Sequence, residues 1–157
     1  MKTIASILFS LTVLCFTATA RGADNKLPED VAKILAKAEQ IELLSLDPDK
    51  RKEAKDSFHG YKVLGKTALK DAETRKKLVE AFTKGTEGEI TPALCFIPRH
   101  GLRITHDGKT AELVICFQCA QFHVYDSTGK LTSLLINKTP EPMFDQLLKD
   151  AGIPKAK

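Results

Sequence analysis

The chain has 157 residues, with 24 Lys and Arg against 20 Asp and Glu, a formal net charge of +4. That excess is small and interleaved with acidic neighbours, so charge gives no argument for nucleic acid or an anionic membrane surface as partner. The length suits one domain with one core.

Residues 1–20 read as a signal peptide. Lys2 supplies the positive start, Ile4 to Phe16 is apolar, and Ala18-Thr19-Ala20 has the small-x-small form of a cleavage site. The run is shorter than the roughly 20 apolar residues of a membrane span. Leu14 before Cys15 does not fit a lipid-anchoring site. Cleavage after Ala20 leaves 137 of the 157 residues, 21–157, as a single exported α+β domain, periplasmic or extracellular. Cys15 leaves with the leader, so three cysteines face an oxidising compartment and at most one internal bridge can form.

Leu27 to Glu39 carries Val31, Ile34, Leu35 and Ala38 at helical spacing. Ile41 to Leu46 is β-prone and is expected to end at the turn signal Asp47-Pro48, before a charged stretch, Asp49 to Asp56, that reads as a loop or an exposed helical turn. Phe58 to Leu64 alternates weakly as a strand. Asp71 can cap a helix with Leu78, Val79 and Phe82 inward and Gly85 at its end. Ala93 to Thr105 and Thr110 to Tyr125 flank Asp107-Gly108, a strong hairpin signal. Leu131 to Ile136 is a further strand. Thr139 is placed to cap a last helix striped by Phe144, Leu147, Leu148 and Ala151 and stopped by Gly152. The order α-β-β-α-β-β-β-α, with tight turns between neighbouring strands, predicts an antiparallel sheet with helices on one face.

Gly60-Tyr61-Lys62-Val63-Leu64-Gly65-Lys66-Thr67 matches the phosphate-loop pattern letter for letter. Its four middle residues prefer an extended chain to a tight loop, and no parallel βαβ pattern surrounds them. A strand with a turn is the reading, and no nucleotide is expected.

A two-residue Asp-Gly loop sets His106 opposite Lys109, and so Arg103 opposite Glu112, Leu102 opposite Leu113 and His100 opposite Ile115. One face then holds Leu102, Ile104, Leu113, Ile115, Phe117, Phe96 and Cys119, and is the expected core. The other holds Arg99, Arg103, Glu112, Gln118, Cys95 and Cys116 with Val114 and Ile97.

Chemistry concentrates in this hairpin, as Cys95-x4-His100-x15-Cys116-x2-Cys119. Three readings compete. A structural disulfide would join Cys95 to Cys119, the preferred pairing, or Cys116 to Cys119. A zinc site would use Cys95, His100, Cys116 and Cys119, ligands of the right type. A thiol-redox pair would use Cys116-x-x-Cys119. On a regular strand Cys116 and Cys119 point to opposite faces, so each reading needs the strand to break or bulge. Pro98 and Gly101 permit a kink at Pro98-Arg99-His100-Gly101.

The runs Cys95-Phe96-x-Pro98-Arg99-His100-Gly101-Leu102-Arg103 and Ile115-Cys116-Phe117-x-Cys119 resemble a family of small exported bacterial proteins. Phe58-His59-Gly60-Tyr61 to Thr67 and the end Leu147-x-x-x-Ala151-Gly152 resemble the same family. The likeness spans about residues 41–153. That family is uncharacterised, so the resemblance implies one domain behind a signal peptide and brings no activity, cofactor or partner. The sequence therefore predicts a non-enzymatic exported module without a cofactor. Its hairpin is braced by cysteines, and Arg99, Arg103 and Gln118 offer a surface to a protein partner outside the cytoplasm. Zinc binding and thiol redox chemistry are the alternatives.

Overall fold

A computed structural model describes residues 25–51 and 56–156; the expected signal peptide lies outside them. Among the described residues the fold is α+β, with three helices and one seven-stranded antiparallel sheet. The helices are α1 (Glu29–Ala36), α2 (Ala72–Gly85) and α3 (Glu141–Asp150). The strands are β1 (Gln40–Arg51), β2 (Ser57–Phe58), β3 (Tyr61–Ala68), β4 (His100–His106), β5 (Lys109–Cys116), β6 (Gln121–Tyr125) and β7 (Leu131–Leu135). Their spatial order is β2-β3-β1-β4-β5-β6-β7. Among the described residues no helix is long and apolar enough to cross a membrane.

The β4–β5 hairpin has the register that the Asp-Gly turn dictates, from His106 opposite Lys109 to His100 opposite Ile115. Asp107 and Gly108 both have positive φ, 50° and 69°, as a type I′ turn requires. Asp71 caps α2 by accepting a hydrogen bond from Thr74 N–H at 2.7 Å. The phosphate-loop look-alike is the His59-Gly60 turn running into strand β3. Gly65 sits mid-strand, where an added Cβ would come 2.8 Å from Ile153 Cγ2. Close approach of the C-terminal segment accounts for that glycine.

Several expectations need correction, among them the Ala93–Thr105 strand, which begins only at His100. Asp47-Pro48 does not end β1. The strand continues to Arg51, and the β1–β3 ladder shifts register between Asp47 and Arg51, an irregularity that tolerates a proline lacking its N–H. The Phe58–Leu64 strand divides at His59-Gly60 into β2 and β3. The Thr110–Tyr125 strand divides at residues 117–120, where Ala120 adopts φ 55° and its N–H bonds Phe117 C=O at 3.2 Å. Thr139 is not the cap of α3; Pro140 holds that position without a side-chain hydrogen bond.

One side of the sheet carries the main core. Val31, Ile34 and Leu35 of α1, Leu78 and Phe82 of α2, and Phe144 and Leu148 of α3 join the inward residues of β1, β4, β5 and β6 in one cluster. All three helices thus pack on one face. The opposite face has a smaller cluster of Leu44, Leu46, Phe58, Tyr61 and Val114. Phe96 packs against this second cluster and stacks on His123 at 3.8 Å, so it leaves the face expected for it.

Candidate functional site

The break between β5 and β6 creates the site. Cys116 is the last residue of β5, and Cys119 lies in the turn that follows. Once the backbone leaves the ladder, strand parity no longer separates them. Their Cα atoms stand 5.2 Å apart, within disulfide range, and their sulfurs are bonded. The bridge is therefore the local one, Cys116–Cys119, in place of the preferred Cys95–Cys119. Cys95 carries a free thiol on an exposed residue, and its Sγ lies 3.3 Å from Cys119 Sγ.

Residues 93–99 hold this thiol in place without forming a ladder strand. Ala93 N–H bonds Cys119 C=O at 3.0 Å, and Gln121 Nε2 donates to the carbonyls of Ala93 and Cys95. At the other end Leu46 N–H bonds Arg99 C=O at 2.9 Å. Backbone bonds at both ends and the Gln121 side-chain amide thus fix the segment beside the 117–120 turn.

Two backbone donors point at the bonded sulfurs. Ile97 N–H donates to Cys119 Sγ at 3.2 Å, and Cys119 N–H donates to Cys116 Sγ at 3.1 Å. An N–H aimed at sulfur stabilises a thiolate more than a thiol, so both donors favour the reduced pair's charged form. Cys116 and Cys119 are buried.

His100 stands apart from the sulfurs in function. Its side chain enters the helix-covered face, edge-on to Phe117 and Phe144. Nε2–H donates to Asp145 Oδ1 of α3 at 2.9 Å, and Asp145 also pairs with Lys155. Burial drives the imidazole down to about 4, against the upward pull of Asp145 and with help from Lys155 and Arg99. At neutral pH this is a neutral donor to a carboxylate, not an ion pair. Beside it opens a cleft of about 360 Å³ lined in part by Arg99, Phe117, Gln118, Lys138 and Lys155. Phe117 and Gln118 are the two residues between the bonded cysteines, so the cleft abuts the disulfide turn.

The three residues expected as a contact surface part company. Arg99 donates to Gln118 Oε1 at 2.9 Å on the cleft wall. Arg103 instead belongs to a charge cluster on the other face. Its Nε donates to Glu112 Oε1 at 2.6 Å and its Nη1 to Glu42 Oε2 at 2.9 Å. Lys66 pairs with Glu42, and His59 Nε2–H donates to the second oxygen of Glu112 at 2.7 Å. His59 also stacks on Tyr125, with ring centroids 3.5 Å apart.

Of the four candidate zinc ligands, two are bonded to each other, Cys95 approaches only one of them, and the His100 ring nitrogen is engaged by Asp145. Among the described residues, no group of three or more His, Cys, Asp or Glu side chains gathers as a metal ion requires. Two features of the site had no signal in the sequence. Asp145 bonds His100 from 45 positions away, and Lys155 pairs with Asp145. The turn at 117–120 lacks the Gly, Asn or Pro that marks most turns.

Comparison with known proteins gives no match among family models, curated proteins or solved structures.

Proposed function

We infer that this protein exchanges thiols and disulfides outside the cytoplasm, with Cys116–Cys119 as its redox-active pair. The observation that carries this reading is the third sulfur, a free thiol 3.3 Å from a disulfide sulfur. Exchange proceeds by attack of a thiolate on a disulfide sulfur, and here attacker and target are already in contact.

The size of the alternative effect supports the choice. A bridge is a good brace when it closes a long loop. In the chain-entropy picture the Cys116–Cys119 loop contributes about 2 kcal/mol, against about 3.5 kcal/mol for a Cys95–Cys119 loop. The fold bonds the pair that braces less and leaves the better brace one exchange step away. The N–H donors on both sulfurs add to this, because they favour the thiolates that exchange requires. The leading apolar segment with its Ala18-Thr19-Ala20 site supports export, to a compartment where disulfides form and persist.

The test is direct. The purified protein is equilibrated in glutathione buffers of graded poise, quenched by alkylation and mapped by mass. An exchange-active pair shows reversible oxidation and reduction of Cys116 and Cys119 across that range. A pair that stays oxidised in every buffer is a brace, and the proposal fails.

A further inference from the structure

The geometry points to Cys95 as the entry thiol through which the buried Cys116–Cys119 pair exchanges with a polypeptide partner, docked on the exposed apolar side chains of Leu94 and Ile97. This rests on the thiol-exchange reading and says where and with what the exchange takes place.

Exposure is the first ground. Cys116 and Cys119 are closed to solvent, whereas Cys95 is exposed and in contact with Cys119. Of the three cysteines Cys95 alone is exposed, so its sulfur is the one a macromolecular partner meets first. The flanking residues are the second ground. Among the described residues, three large hydrophobic side chains are exposed: Leu94, Ile97 and Leu131. Two of them bracket the exposed thiol, one residue before it and two after. Scattered exposed apolar side chains are ordinary, but a pair fixed around a reactive sulfur offers an anchor to an apolar peptide segment. A small polar thiol such as glutathione has no use for it.

The relay balances without any further reagent. Starting from the bonded pair, Cys95 thiolate attacks Cys119 Sγ. The Cys95–Cys119 bond forms, the Cys116–Cys119 bond breaks, and Cys116 leaves as a thiolate that takes up the proton Cys95 gave up. A partner thiolate then attacks Cys95 Sγ, and Cys119 leaves as a thiolate and is protonated. The partner's second thiolate attacks the partner sulfur of that mixed disulfide, and Cys95 departs. The partner dithiol has lost two electrons and two protons, and Cys116 and Cys119 have gained them. Run backwards, the same three steps reduce a partner disulfide at the expense of the Cys116, Cys119 dithiol.

The experiment runs the reverse direction. Reduced full chain is mixed with a synthetic peptide holding one disulfide flanked by leucines, or with glutathione disulfide at equal concentration. Oxidation of Cys116 and Cys119 is followed by alkylation and mass. The wild type reacts faster with the peptide, and Cys95→Ser slows the peptide reaction about a hundredfold or more, because the entry sulfur is gone. Leu94→Ser lowers the ratio of peptide to glutathione rates about fivefold. In Cys119→Ala the relay stops at its mixed disulfide, and the peptide is found on Cys95. If Cys95→Ser reacts as fast as the wild type, or the peptide is found on Cys116, the pair is reached directly and Cys95 is not the entry thiol. If Leu94→Ser leaves the ratio unchanged, the polypeptide assignment is wrong. If the wild type exchanges with neither disulfide, the thiol-exchange reading itself falls.

Discussion

The Cys95 thiol lies 3.3 Å from Cys119 Sγ, while Cys119 is bonded to Cys116. Cys119 Sγ is thus within reach of both other sulfurs, which admits two alternative bridges that share Cys119. Removal of Cys116 should therefore leave the second. Cys116→Ser, isolated under oxidising conditions, is predicted to hold a Cys95–Cys119 disulfide and no alkylatable thiol among these residues. The wild type is predicted to show one, at Cys95. Peptide mapping after alkylation decides. Two alkylated cysteines in Cys116→Ser would mean that the contact does not convert into a bond.

The buried histidine predicts a pH dependence. Burial holds His100 down to about 4, below its ordinary value near 6.5. Between these values the unfolded chain binds a proton that the folded chain does not, so stability falls as pH falls. The contribution is fully present above pH 6.5 and is lost progressively toward pH 4, amounting to about 3 kcal/mol. Denaturant unfolding of wild type and His100→Gln at a series of pH values measures it. The wild-type curve should fall more steeply over that window, and parallel curves would remove His100 as the source.

On the opposite face, the Arg103 guanidinium bridges Glu42 and Glu112 and lies over the Phe58 ring at 5.4 Å. The Arg103 side chain is 41% exposed, so screening by solvent limits what the network contributes. Glu112→Gln weakens its bonds to both Arg103 and His59 and is predicted to cost about 1 kcal/mol, less in high salt. Chemical denaturation at low and high ionic strength reads both numbers. A cost that does not respond to salt would point to packing over Phe58 as the main effect.

Gly85 closes α2 where a Cβ would come 2.4 Å from Pro140 Cγ and 3.2 Å from Ile136 Cγ1. Its carbonyl accepts the Asn137 N–H at 2.8 Å, which ties the helix end to the segment before α3. Gly85→Ala is predicted to destabilise by about 1–3 kcal/mol through overpacking, although alanine suits a helix better than glycine. A melting temperature at or above that of the wild type would show that the Pro140 ring moves aside freely.

These contacts separate what can be read along the chain from what cannot. Asp107-Gly108 gave the turn, the turn gave the register, and Arg103 opposite Glu112 followed as a contact 2.6 Å long. Asp71 three residues before Thr74 likewise announced a cap. Local chemistry dictates each of these. The disulfide turn was opaque because Ala120 takes a positive φ that alanine's propensity disfavours, and only the surrounding ladder enforces it. Asp47-Pro48 misled for the opposite reason: a strong turn signal sits in a ladder irregularity, and the strand runs on. The partners of His100 come from α3 and the segment after it, and no spacing rule links residue 100 to residue 145.

The reduction potential of the Cys116–Cys119 pair tests the central claim most directly. Purified protein in glutathione buffers, quenched with acid and alkylated, reports the reduced fraction of each cysteine as a function of poise. Thiol exchange at this site predicts a reversible midpoint above about −300 mV, in the range of exchange-active pairs. A pair still fully oxidised below about −300 mV would be a structural brace, and would contradict the account.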